Sequence, residues 1–308
     1  MNPHRLRAYI ELLIVSVIWG LAAPVIKFTL EGFSPFVFLT YRFFLSSIVA
    51  IGFFAVTGFK LPRDLKSILV MVLYGFLVTT VSLGLLFLGT DMTTSIDANL
   101  ISATAPIMIV VAGVVFLKER VTSREKIGVG IAFLGTLVTV IEPLFRNHNG
   151  SAGLEGNLLV LASVAVATIT AIMAKVMMRN NMEPVPLVNF SFIVGLLTVL
   201  PVALLTGSTL PQIVGVITAA PLPYHLGVVF MALLSGTLAY ILWHKAEKTI
   251  EVGEVGLFAY LYPVFGTPLS VFWLGEKITT PFIIGAVVIA IGVVIAEYKK
   301  KSVSAQTQ

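Results

Sequence analysis

Between Pro184 and His244 the chain contains no Asp, Glu, Lys or Arg. No water-facing domain can bury so long an uncharged stretch in one layer of structure. The whole chain follows suit: 308 residues are 57% hydrophobic and 11% charged, against roughly 25% charged in soluble domains. The apolar runs are continuous rather than alternating, which selects membrane-spanning helices over an outer-membrane barrel. The chain has no cysteine, so disulfides, thiolate metal sites and thiol nucleophiles are excluded.

A helix needs about 20 residues to cross the hydrocarbon core. Spans are expected near 8–28, 35–57, 66–89, 96–117, 123–143, 156–177, 185–206, 225–246, 252–274 and 280–298. The first is too long for a signal-peptide core and is expected to be retained. Gly207, Pro211, Pro221 and Pro223 divide the uncharged stretch into two spans joined by a loop. With ten spans both termini share one side. Of the 20 Lys and Arg residues, sixteen fall on that side, three (Lys27, Arg146, Lys277) on the other, and Arg42 within a span. The bias predicts cytoplasmic termini in a plasma-membrane protein.

The chain also repeats itself. Residues 97–136 laid over 254–293 match at Pro106/Pro263, Glu119/Glu276, Thr122/Thr279, Gly128/Gly285 and Gly135/Gly292. Upstream, Pro35 falls on Pro184 and Lys27 on Lys175 at offsets of 149 and 148. The expected fold is an all-α polytopic membrane protein, ten transmembrane helices in two five-helix repeats, 1–147 and 148–308. Five is odd, so the second repeat enters the membrane inverted. An inverted repeat with a proline-broken helix in each half is the pattern of a secondary transporter working by alternating access.

These residues carry a resemblance to a known family. Trp19-Gly20 with Pro24 and Lys27, Arg42-Phe43, then Ala98, Leu100, Pro106, Glu119, Gly128 and Gly135 resemble the EamA family of the drug/metabolite transporter superfamily. Leu257, Pro263, Glu276, Gly285 and Gly292 repeat the pattern. The resemblance implies a carrier of small organic metabolites, often an exporter of amino acids or related compounds. It also implies that the last helix of each half lies outside the central cavity. The second half lacks the Trp-Gly pair where it would recur, near Ala167-Thr168.

Several residues are candidates for the transport path. Pro106 and Pro263 free the backbone carbonyls of Ser102 and Ala259; they are expected as hinges, with static kinks as the alternative. Arg42 lies about seven residues into its span, roughly 10 Å deep at ~1.5 Å per residue. A cation there should face the interior with a partner; Asp97 is the expected carboxylate, and a substrate carboxylate or an ion-pair gate the expected use, with a snorkelling side chain or a structural pair as the alternative. Asp97 and Glu254 occupy equivalent repeat positions and are coupling candidates, with stabilisation of a helix N-terminus as the alternative. Glu119 and Glu276 read as structural groups near the caps of the helices that follow. His244, within the eighth span, is a candidate proton carrier. Trp19, Tyr41, Tyr74, Asn99, Thr104, Asn189, Tyr240, Tyr260 and Tyr262 complete the path candidates. Trp243 reads as an interfacial belt residue. The spaced glycine pairs read as packing seams, in a monomer or across a homodimer.

No HExxH motif, Walker A loop or clustered ligand set is present in the sequence, so an enzyme is not expected and no cofactor is called for. A passive channel and a membrane enzyme without a recognisable motif stay open. The basic loops report orientation, not nucleic-acid binding. A strongly phosphorylated solute would need clustered Lys and Arg. Neutral or zwitterionic metabolites are the expected cargo, with a proton as the candidate coupling ion and uniport as the alternative.

Overall fold

Prolines start many of the helices, because a first-turn position loses nothing by lacking an N–H. Pro35 and Pro184 both stand at the first helical position of their spans. In the computed structural model, which describes residues 3–58, 64–109, 112, 123–141, 150–250, 255 and 257–297, the helices are α1 (Pro3–Thr29), α2 (Pro35–Thr57) and α3 (Leu65–Met92). They continue as α4 (Ser95–Ile109), α5 (Ser123–Ile141), α6 (Gly150–Arg179) and α7 (Pro184–Leu205). The short α8 (Leu210–Ala219) is followed by α9 (Leu222–Thr249), α10 (Tyr262–Leu274) and α11 (Thr280–Glu297). Six of them, α1, α2, α3, α6, α7 and α9, are long and apolar enough to cross a membrane unaided. With the shorter apolar α4, α5, α10 and α11 they make the ten spans of an all-α polytopic membrane protein.

The stretch between the seventh and eighth spans contains a short helix of its own. Thr209 closes a reciprocal capping box with Gln212 at the start of α8. Ile213 is its one buried residue and, with half-buried Ile217, packs on the core, so α8 lies against the bundle rather than through it.

Elements at equivalent repeat positions are built alike. Lys27 on α1 donates through Nζ to the carbonyls of Thr90 (3.1 Å) and Asp91 (2.7 Å) at the end of α3. Lys175 on α6 donates to the carbonyls of Glu247 (2.6 Å) and Ile250 (3.4 Å) at the end of α9. Each lysine satisfies the orphan carbonyls and negative pole of a helix C-terminus. Both third spans also pass through π-helix, at Phe76–Ser82 and Phe230–Leu238. Both fourth spans are broken. α4 turns at Ala103-Thr104 ahead of Pro106, and α10 is entered through a 3₁₀ turn, Leu257–Leu261, ahead of Pro263.

The glycine seams close inside the chain. A Cβ on Gly135 would stand 2.7 Å from the Ile289 amide nitrogen, and one on Gly285 would meet Thr139. On Gly292 it would meet the Ala132 nitrogen and the Gly128 carbonyl. The seams therefore join α5 to α11, the last helix of each half, rather than one copy to another. Small residues permit this approach where no hydrophobic force drives helices together.

Candidate functional site

A cavity of about 200 Å³ lies in the centre of the bundle. That is below the ~300–1,000 Å³ of sites taking drug-sized ligands, so it suits a small solute. It is lined by α1, α2, α3, α4, α6, α9 and Tyr262 of α10; α5 and α11 contribute nothing to it among the described residues. The π-helices face it. Val78 and Ser82 come from one, Met231 and Ser235 from the other. A widened turn of this kind shifts side chains out of α-helical register and is common at functional sites.

Trp19 centres an aromatic cluster on one wall. Its ring lies 5.2 Å from Tyr240, 5.1 Å from Trp243 and 6.1 Å from Tyr262, two of the three edge-on. Its Nε1 donates to the Ser235 carbonyl at 3.0 Å, which pins the indole plane. The facing wall, from α6, carries Ser163, Val164, Ala167, Thr168, Thr170 and Ala171. The repeat position of Trp19 is thus filled by small residues, and the missing indole leaves room in the cavity.

Arg42 is 1% exposed and lines the same space. Its guanidinium carbon stands 5.6 Å from the rings of both Phe43 and Phe87, a contact that offsets part of the cost of burial. Its Nε and Nη1 have no hydrogen-bond partner. The expected pair with Asp97 does not form. Asp97 is buried in the first turn of α4, where its backbone N–H donates to Thr94 Oγ1 at 3.0 Å, and it does not line the cavity. An acid at a helix N-terminus complements the dipole there, so Asp97 serves the helix end rather than Arg42.

His244 belongs to a buried chain of hydrogen bonds. Tyr74 Oη and His244 Nε2 are 3.1 Å apart, and His244 Nδ1 and Glu247 Oε2 are 2.6 Å apart. Trp243 Nε1 donates to Glu247 Oε1 at 2.8 Å. Glu247 is fully buried. Trp243 is therefore no belt residue. It is 8% exposed, and the Glu247 carboxylate draws its N–H inward. Nothing in the sequence marked Glu247, which sits in a short charged run at the end of a span. The only available signal was its i,i+3 and i,i+4 spacing to His244 and Trp243.

Of the other path candidates, Asn99 lines the cavity and donates to the Gly20 carbonyl at 3.1 Å. Four are placed elsewhere. Tyr41 Oη meets His225 Nδ1 at 3.1 Å among core aromatics. Thr104 donates to the Ile101 carbonyl in the turn of its own helix, and Asn189 to the Val185 carbonyl. Tyr260 sits in the 3₁₀ turn before α10 and, like these three, is not a lining residue. Thr104 and the Asn189 amide nitrogen thus donate within their own helices and Tyr41 turns to His225 of α9, while Asn189 Oδ1 is buried without a hydrogen-bond partner. Glu254 and Glu119 lie outside the described residues. Glu276 is structural in a way the sequence did not indicate. Its carboxylate accepts the N–H groups of Ser95 (2.8 Å) and Ile96 (3.0 Å), so it caps α4 of the other half rather than its own next helix. Ser95 Oγ also donates to Ser270 Oγ at 2.8 Å.

The comparisons with known proteins agree with this architecture. A crystal structure covering 96% of this chain and 95% of its own aligns with a TM-score of 0.66 at 18% identity, which establishes a shared fold. An uncharacterised transporter, YyaM, of Bacillus subtilis strain 168 is 23% identical over 94% of this chain and 93% of its own. Probable amino-acid metabolite efflux pumps of Escherichia coli K12 and Salmonella typhimurium LT2 are 24% and 27% identical, each over 92% of both chains. The family model described as EamA-like transporter matches twice, at residues 6–141 and 154–298. With those two matches covering most of its length, this multi-pass membrane protein belongs to the EamA-like transporter family.

Proposed function

We propose that the chain is a secondary carrier that exports amino acids or closely similar zwitterions, using the central cavity as its substrate site. The observation that carries the reading is Arg42, buried in the cavity wall with two nitrogen atoms unpaired. An uncompensated cation inside a bilayer costs at least ~2.5–3.5 kcal/mol, and such a group is retained where a ligand supplies the counter-charge. A carboxylate can accept from Nε and a terminal nitrogen together, the strongest geometry open to a guanidinium. The aromatic cluster around Trp19 offers π-faces to a substrate ammonium group, and the cavity is small and mostly apolar otherwise. The efflux-pump names of two relatives support export and amino-acid-like cargo for those proteins. Access would alternate by movement about Pro106 and Pro263, with both termini in the cytoplasm.

The test is counterflow. Purified protein in liposomes loaded with unlabelled L-phenylalanine or L-leucine should take up the labelled compound transiently. Passive conduction would give no such overshoot, and turnover of the solute without movement would indicate an enzyme. Absence of counterflow with every amino acid tried would sink the substrate reading.

A further inference from the structure

Glu247 has no role in carboxylate binding, yet it is a fully buried acid one layer behind the cavity wall. We propose that Glu247, through its hydrogen bond to His244, holds the proton that the carrier exchanges for the ammonium group of its substrate. The inference rests on the zwitterion reading above and adds the coupling site to it.

With Glu247 ionised, Trp243 N–H donates to Oε1 and His244 must carry its hydrogen on Nδ1 to donate to Oε2. Nε2 is then bare and accepts from Tyr74 O–H. Adding one proton, to either member, gives Nε2 a hydrogen. Nε2 then donates to Tyr74 Oη, and the tyrosine hydroxyl hydrogen must turn to another acceptor. Tyr74 and His244 both line the cavity, so the protonation state of a buried pair is displayed at its wall.

Charge then decides what can share the site. The ionised pair places one negative charge behind Trp243, in the wall that presents the aromatic faces. An ammonium group against Trp19, Tyr240 and Trp243 is balanced by that charge, while its carboxylate is balanced by Arg42. Once the pair takes a proton, Glu247 is neutralised or paired with an imidazolium, and the ammonium loses its counter-charge in a medium of low dielectric. Proton and amino acid therefore exclude one another, which is the condition for exchange in opposite directions. One proton is bound as one zwitterion leaves, so each cycle moves one positive charge against the amino acid.

The other charged and titratable groups packed around the pair do not supply this function. Lys175 of α6 is spent on the carbonyls of Glu247 and Ile250. Lys248 pairs with Glu183 at 2.7 Å at the rim, and Arg7 pairs with Glu11 at 3.0 Å on α1. Tyr240 packs on His244 with ring centroids 6.3 Å apart, and Arg42 keeps its charge for the carboxylate.

The test compares two ligands on purified protein. L-Phenylalanine and 3-phenylpropionate share a ring and a carboxylate, and only the first has an ammonium group. As the pH is lowered from about 8 to about 6, L-phenylalanine affinity should fall by up to about tenfold per pH unit. Affinity for 3-phenylpropionate should not fall. Glu247→Gln and His244→Gln should each weaken L-phenylalanine binding and flatten its pH profile. Equal pH dependence for the two ligands, or a parental slope in Glu247→Gln, overturns the assignment of the proton to this pair. Should the variants fail to fold, the two-ligand comparison on the parent decides alone. L-Phenylalanine binding with a flat profile overturns only the coupling site. No binding of either ligand at any pH overturns the zwitterion reading, and this inference with it.

Discussion

Arg42 and Glu247 are a pair of opposite charges that the cavity keeps apart. Arg42 is stabilised by two phenyl faces and no carboxylate, whereas Glu247 is fully hydrogen-bonded. This asymmetry gives a prediction that separates function from stability. Arg42→Gln removes a buried unpaired charge, so its melting temperature in detergent should equal or exceed the parent's. Its amino-acid counterflow should nevertheless fall about 10- to 100-fold, the worth of a lost charge-assisted hydrogen bond of ~1.5–3 kcal/mol. A thermal-shift assay beside the counterflow assay checks both. Loss of stability together with activity would make Arg42 a packing residue. Sequence position alone put Arg42 inside the bundle, because depth in an apolar span is legible from a count of residues. The lack of a carboxylate partner was not legible, because Asp97 lies near the same membrane face by residue count but is held in the first turn of α4.

At the scale of elements, the structure joins the halves through backbone groups. Glu276 caps α4 from the loop after α10, a bond between segments about 180 residues apart. A cap of this kind is worth ~0.5–2 kcal/mol. Glu276→Ala should lower the melting temperature and loosen the junction over Ser270, which is fully buried beneath it. A Ser270→Cys reporter, unreactive in the parent background, should then label with a maleimide; unchanged labelling would mean that the cap holds nothing closed. The broken spans belong to the same scale. Pro106→Ala and Pro263→Ala restore a potential helix hydrogen bond. If the halves are inverted partners, the two substitutions should shift labelling of a Ser102→Cys reporter in opposite directions. Parental labelling in both would reduce the prolines to static kinks. The π-helices were not legible, since Phe76–Ser82 and Phe230–Leu238 carry no residue that forbids an ordinary α-helical register.

For the whole molecule, the seam between α5 and α11 sets those two helices apart from the cavity. Gly135→Leu or Gly292→Leu should push the helices apart, since the backbone of the facing helix lies where the side chain would stand. The expected cost is ~1–3 kcal/mol or more, as for overpacking of a core, read as a lower melting temperature with substrate affinity of the surviving protein unchanged. Topology is testable on the cysteine-free chain. A cysteine at exposed Thr218 on α8 should react with an impermeant reagent in intact cells, and one at exposed Thr249 only after lysis. The reverse result would overturn the orientation drawn from the basic residues.

The membrane class is legible in the sequence alone, and so are span limits such as Pro35–Thr57 and Pro184–Leu205, whereas α1 and α6 begin five or more residues before the expected starts. Both follow from local chemistry: an apolar run of bilayer length must be helical, and a proline marks its first turn. The sequence also brought Trp19, Tyr74, Asn99, Tyr240, Tyr262 and His244 into consideration, all of which line the cavity. Tertiary packing set Tyr41 against His225, kept Thr104 and Asn189 on carbonyls of their own helices, turned Trp243 inward and placed Glu247 behind His244. Those outcomes depend on which face of each helix meets which neighbour. In a chain apolar on every side, no hydrophobic stripe records that choice; it is made by small residues and hydrogen bonds between helices far apart in sequence.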